Sequence, residues 1–113
     1  MSIIKEVTTE QDWKEVFELS SINPVFIFKH STTCPISAEA HAEYLGFVEE
    51  HEKGELTFSL VRVIEERPIS NLISKELDVK HESPQLILIK DKNVQWSASH
   101  WNITKKNITK FLG

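Results

Sequence analysis

Residues 25–37 read VFIFKHSTTCPIS, and their local structure decides how the rest of the chain is organised. Val25-Phe26-Ile27-Phe28 are four apolar residues in succession, the composition of a strand covered on both faces. Pro35 suits the first turn of a helix, where its missing N–H costs nothing. Ile36, Ala40, Tyr44, Phe47 and Val48 then make a continuous inner face along a helix from Pro35 to about His51. The stretch is a buried strand, a short connection and a long helix. Cys34, the only cysteine, stands at the join.

Working outward, residues 3–7 (IIKEV) form a short strand, and TTEQDWKEVFELSS reads as a helix. Thr8 and Gln11 have capping-box spacing there, and Trp13, Val16 and Phe17 make one apolar stripe. Asn23-Pro24 breaks the chain before the central strand. On the other side, Lys53-Gly54 ends the long helix, and residues 57–63 (TFSLVRV) are β-branched and aromatic enough for a third strand. Pro68 begins another helix carrying Ile69, Leu72, Ile73 and Leu77, followed by the buried-type strand QLILI, residues 85–89. A four-residue polar turn, Lys90-Asp91-Lys92-Asn93, leads into VQWSASHW, where Val94, Trp96 and Ala98 alternate with polar residues. Thr104 caps a last helix with Ile108, Phe111 and Leu112. The order is β-α-β-α-β-α-β-β-α, which predicts an α/β fold. Its mixed central sheet is flanked by helices, with parallel pairs joined by right-handed crossovers and a closing antiparallel hairpin. No linker or repeat interrupts it, so residues 1–113 read as a single domain.

The composition narrows the function classes. The chain has 113 residues, formal charge −4, and basic residues scattered among acidic ones. Sequence-independent nucleic-acid binding needs a basic face, which this distribution lacks. No apolar run reaches the roughly 18 residues of a membrane span, and the start MSIIKEVTTEQDW lacks an apolar signal region. One cysteine forms no internal disulfide, so a cytoplasmic location is expected. Five scattered histidines and one cysteine, without C-x-x-C or H-x-x-x-H spacing, give no metal site. The triplets Asn102-Ile103-Thr104 and Asn107-Ile108-Thr109 match the glycosylation pattern by chance, and Thr104 is better used as a cap.

Cys34 lies where open α/β sheets place their ligand sites, at the carboxyl end of a strand. The helix that follows offers unpaired N–H groups and a positive dipole end, and both favour thiolate over thiol. Ser37, one turn on, carries a hydroxyl able to donate to that thiolate. A cysteine there would resolve a mixed disulfide internally, which serine cannot do. A lone cysteine more often serves as a small buried hydrophobe. Its placement between strand and proline-started helix favours the nucleophile instead. Ser83-Pro84 directly precedes QLILI. A proline there must start rather than interrupt the ladder, and both isomers are open to it. A cis bond would turn the Ser83 backbone outward, toward an extended substrate.

Thr33-Cys34-Pro35-Ile36-Ser37 resembles the T-C-P-I-S motif of the monothiol bacilliredoxins, the YtxJ-like members of the thioredoxin superfamily. The resemblance extends over essentially the whole chain in length and element order, and it implies that the α/β fold is thioredoxin-like. Ser83-Pro84 falls where thioredoxin-fold proteins carry their cis-proline. It implies a monothiol thiol-disulfide oxidoreductase with roles in redox homeostasis and stress response. Such an enzyme removes bacillithiol, a thiol built from cysteine, glucosamine and malate, from S-bacillithiolated proteins. Cys34 would be the nucleophile, with Ser37 and Pro35 tuning it. Thr33, Pro35, Ser83 and Pro84 would line the substrate groove. Bacillithiol would act as co-substrate without a permanently bound cofactor, and a second thiol or an external reductase would restore Cys34. Lys29, His30 and His81, with Lys80 beside it, are candidate contacts for the thiol's anionic malate. Strand alternation sends Lys29 and His30 to opposite faces, so only one of the two is expected at the site. Trp96 and Trp101 read as packing residues. A non-catalytic thioredoxin-fold binding module and a general glutaredoxin-like monothiol protein are the alternatives.

Overall fold

The computed structural model describes residues 4–51 and 54–112. Five strands form one sheet in the order β1-β3-β2-β4-β5. They are β1 Ile4–Glu6, β2 Val25–His30, β3 Thr57–Arg62, β4 Gln85–Lys90 and β5 Asn93–Ser99. Helices α1 Glu10–Leu19, α2 Pro35–Glu50, α3 Arg67–Leu77 and α4 Lys105–Leu112 alternate with or follow them, and a short 3₁₀ turn spans His100–Asn102. β1 and β2 each pair parallel with β3, while β4 runs antiparallel to both β2 and β5. Ile3 and Lys53, expected to begin the first strand and to help end the long helix, lie outside the described residues.

β2 is central, and every one of its six residues is buried. Period-two alternation divides them between two cores. Phe26 and Phe28 pack toward α2 and α4 with Tyr44, Phe47, Leu86, Leu88, Ile103 and Ile108. Val25 and Ile27 pack toward α1 and α3 with Trp13, Val16, Ile73, Ile87 and Ile89. Tyr44 brings a hydroxyl into the first core, where it donates to the Ser59 carbonyl at 3.0 Å. Burial raises the tyrosine's pKa, so the phenol stays neutral.

Three local features differ from the sequence expectation. The first helix is capped one residue later than the Thr8–Gln11 pair implies: Thr9 Oγ1 accepts from the Asp12 N–H, and Asp12 Oδ2 accepts from the Thr8 N–H. Aspartate reaches back as the glutamine of a capping box would, and these bonds hold its carboxyl below the usual range. The β4–β5 connection is two residues rather than four, because Asp91 and Lys92 both adopt positive φ (51° and 64°). That is the backbone of a type I′ turn, whose twist matches the hairpin, so Lys90 and Asn93 join the ladder. The strand expected to run to Trp101 stops at Ser99, where His100 turns to φ 54° and opens the 3₁₀ turn. Thr104 does cap α4, accepting from the Asn107 N–H at 3.0 Å.

Candidate functional site

β2 and β3 end on the same side of the sheet, and β4 begins there because it runs antiparallel to β2. That end gathers Cys34, the Ser83-Pro84 bond and the start of α2. Cys34 is the N-cap of α2, extended at φ −105° and ψ 122°, with Pro35 opening the first turn. Its N–H donates to the Ser31 carbonyl at 3.3 Å, and its own carbonyl accepts from the Ala38 N–H at 3.0 Å. The side chain is half-buried and makes no capping hydrogen bond. A negative charge developing on Sγ therefore lies at the positive end of a four-turn helix whose first N–H groups no side chain among the described residues has claimed.

Ser37 is fully buried, and its hydroxyl is engaged at the end of β2. Oγ accepts from the Ser31 N–H at 2.9 Å and lies 2.7 Å from His30 Nδ1. All three groups are satisfied when the hydroxyl donates to Nδ1 and the ring proton sits on Nε2. Burial lowers the pKa of His30, with the neighbouring His41 adding to the effect, so the neutral ring is favoured. The expected Ser37 hydrogen bond to Cys34 does not form among the described residues. The single hydroxyl proton is committed to the end of β2, so Ser37 locks the Cys34 loop to the sheet. His30 also packs against His41, the two rings tilted with centroids 4.5 Å apart, and both rings stack on Phe28. His41, for which the sequence suggested no partner, thus belongs to the site's wall. With Thr32 and Arg62 these rings line a recess of about 440 Å³.

Lys29 and His30 do point to opposite faces. Lys29 has no exposed surface, and its ammonium reaches Ser70, Ser74 and His81 on the α3 side. The sequence reading places Lys29 among the candidate contacts for malate; the structure encloses it on the α3 side of the sheet. His81 is exposed but its Nδ1 is held by Lys29. Thr33 and Pro35 are exposed beside the sulfur. Ser83-Pro84 is cis, Pro84 is buried, and its carbonyl accepts from the His100 N–H at 3.0 Å.

That last bond carries the 3₁₀ turn toward the site, and with it a residue the sequence reading assigned to packing. Trp101 is 64% exposed and lines a recess of about 480 Å³ with Ile36, Glu39 and His100. Ile36 is two residues from Cys34. The sequence held a signal: Val94, Trp96 and Ala98 set the inward phase of β5, and Trp101 falls out of it. Trp96 is the packing residue, stacked on Phe111 at 5.5 Å. Among the described residues, no three His, Cys, Asp or Glu side chains are grouped to hold a metal, and no helix is long and apolar enough to cross a membrane.

Comparisons with known proteins bear on this geometry. Residues 5–108 match the model of a family described as monothiol bacilliredoxin BrxC. A solved structure described as a thioredoxin fold with a provisional oxidoreductase role is 29% identical, with a TM-score of 0.87 over 98% of this chain and 95% of that one. Thioredoxin from Fasciola hepatica superposes with a TM-score of 0.76 at 14% identity, over 96% of each chain. Mitochondrial thioredoxin 3 from Saccharomyces cerevisiae gives 0.69 at 18%, over 96% of this chain and 92% of that one. These two likenesses speak for the fold alone. A thioredoxin fold with one cysteine at its active end supports thiol-disulfide oxidoreductase chemistry.

Proposed function

We propose that this chain, which belongs to the monothiol bacilliredoxin family, removes bacillithiol from mixed disulfides on cytoplasmic proteins. The observation that carries the proposal is the pairing of a lone, half-buried Cys34 at a helix N-terminus with a Ser37 whose hydroxyl is already spent on the sheet. The site can open a disulfide, and it holds no second sulfur to close the cycle.

Cys34 thiolate attacks the bacillithiol sulfur of the modified protein in line with the S–S bond. The new bond joins Cys34 to bacillithiol, and the old bond's electron pair leaves with the protein cysteine as thiolate. A free bacillithiol thiolate, or an external reductase of thiol type, then attacks the bacillithiol sulfur of the Cys34 adduct; the new disulfide joins attacker and bacillithiol, and Cys34 leaves as thiolate. Exchange is fastest when the attacking thiol has a pKa near ambient pH and the leaving thiol is acidic. Attack on the bacillithiol sulfur rather than the protein's requires the small thiol to be seated nearer Cys34. Thr33, Pro35, the Ser83 backbone ahead of the cis bond to Pro84, and the Trp101 recess are the surfaces available for that choice.

The test is turnover of a purified S-bacillithiolated protein, read as free protein thiol, with bacillithiol as reductant. Wild type is expected to release thiol and Cys34→Ala to release none. Equal release by both would leave a non-catalytic binding module. Equal rates on bacillithiol and glutathione adducts would leave a general glutaredoxin-like protein.

A further inference from the structure

Lys29 is a charged residue in the interior, and among the described residues no carboxylate neutralises it. Its ammonium carries three protons and meets three acceptors: the Ser70 carbonyl at 3.0 Å, Ser74 Oγ at 2.5 Å and His81 Nδ1 at 3.2 Å. Burial alone draws its pKa down to about 8. A hydrocarbon side chain of the same length would fill this position at the end of β2 without that penalty. What the ammonium does that a hydrocarbon cannot is tie two positions of α3 to a residue outside any helix or strand. A protonated amine only donates, so His81 Nδ1 is the acceptor and the ring proton is on Nε2.

His81 sits midway along residues 79–84, the connection from α3 to β4. The ends of that connection are held by backbone: Val79 N–H donates to the Ser74 carbonyl, and the Pro84 carbonyl accepts from His100. Gln85 Nε2 holds the Lys80 carbonyl. Between Lys80 and Pro84 the side-chain tethers are those at His81 Nδ1, to Lys29 and, at 3.4 Å, to Ser70 Oγ. Ser83 Oγ is buried with no hydrogen-bond partner among the described residues. The register pairs Lys29 with Gln85, so the tether acts at the sheet end where Cys34 lies.

We infer that Lys29 is a positioning residue: its enclosed ammonium, braced by α3, fixes His81 and thereby holds residues 79–84 as a firm wall beside Cys34, against which the protein part of the mixed disulfide lies. The catalytic half of this inference rests on the function proposed above. The tether is a property of the fold and is read separately.

The experiment compares wild type with Lys29→Met, His81→Phe and His81→Asn, the last offering an amide oxygen where Nδ1 accepts. Substrate is a protein carrying one bacillithiol mixed disulfide. Loss of a charge-assisted hydrogen bond that orders a binding surface is expected to raise KM about tenfold in Lys29→Met and His81→Phe, with kcat changed less than about twofold. Backbone hydrogen exchange at residues 80–83 should quicken by a similar factor, and His81 ¹⁵N shifts should move from a single Nε2–H tautomer to a mixture in Lys29→Met. His81→Asn should restore KM. Unchanged KM and unchanged exchange in both Lys29→Met and His81→Phe would overturn the inference, as would a fall in kcat alone. If Lys29→Met does not fold, His81→Phe, altered at an exposed residue, decides the outcome. If wild type itself releases no thiol, the proposed function fails, while exchange and tautomer still judge the tether.

Discussion

Replacing Ser37 with alanine removes one oxygen and leaves two buried groups without partners. The Ser31 N–H loses its acceptor at 2.9 Å, and His30 Nδ1 loses its donor at 2.7 Å. Both residues are buried, and Ser37 itself is fully enclosed, so water does not readily take the hydroxyl's place. Each orphaned group costs about 1–3 kcal/mol. Alanine's better helix propensity returns roughly 0.5 kcal/mol or less in the first turn. A net loss of about 1.5–5.5 kcal/mol follows, a large share of the 5–15 kcal/mol typical of a domain. In thermal unfolding this corresponds to a fall on the order of 10 °C for a chain of this size. The assay is urea unfolding of wild type and Ser37→Ala, checking that m is unchanged so that the midpoint reports stability. A loss below about 0.5 kcal/mol would refute the reasoning, because exposed serines are replaced at that level. It would mean that the Ser31–Ser37–His30 chain does not hold the Cys34 loop to the sheet.

Two further outcomes are expected. His30, His41 and His81 all have depressed pKa values with burial as the largest cause, so below about pH 6.5 the unfolded chain takes up protons that the folded chain refuses. Their contribution is fully present above that pH and is lost as the pH falls toward the folded values; the urea midpoint should drop between pH 7 and 5.5, and a flat or rising midpoint contradicts this. Tyr44→Phe removes the hydroxyl that serves the buried Ser59 carbonyl and should cost about 1–2 kcal/mol in urea unfolding, an unchanged midpoint being the contrary result.

The sequence made β2 and α2 legible because their signals are local and redundant: an apolar run of strand length, a proline in the first turn, and a helical stripe from Ile36 to Val48. From these the mixed sheet and the position of Cys34 followed. What it did not show was the direction in which small polar side chains point. Ser37 lies one helical turn from Cys34, so spacing alone favours a hydroxyl–sulfur bond. The competing partner, His30, is its neighbour only because α2 folds back along β2. Lys29 reads as a surface cation by residue type, and its enclosure depends on α3, some 40 positions along the chain, supplying Ser70 and Ser74. The two-residue β4–β5 turn escaped for another reason. Asp91 and Lys92 both take positive φ, and the pair lacks the glycine that usually announces a type I′ turn. The exposure of Trp101 is not legible in the sequence because a 3₁₀ turn breaks the alternation of β5 at His100.

The most direct measurement on the central claim is the intact mass of the protein after one turnover on a substrate bearing a single bacillithiol disulfide, quenched with acid before any second thiol is added. The mechanism requires the mass of one bacillithiol on wild type, mapped to Cys34 by peptide fragmentation, with the substrate released as free thiol. A covalent complex between this protein and the substrate protein as the accumulating species would place the attack on the other sulfur. An unmodified mass after full thiol release would remove Cys34 from the chemistry altogether.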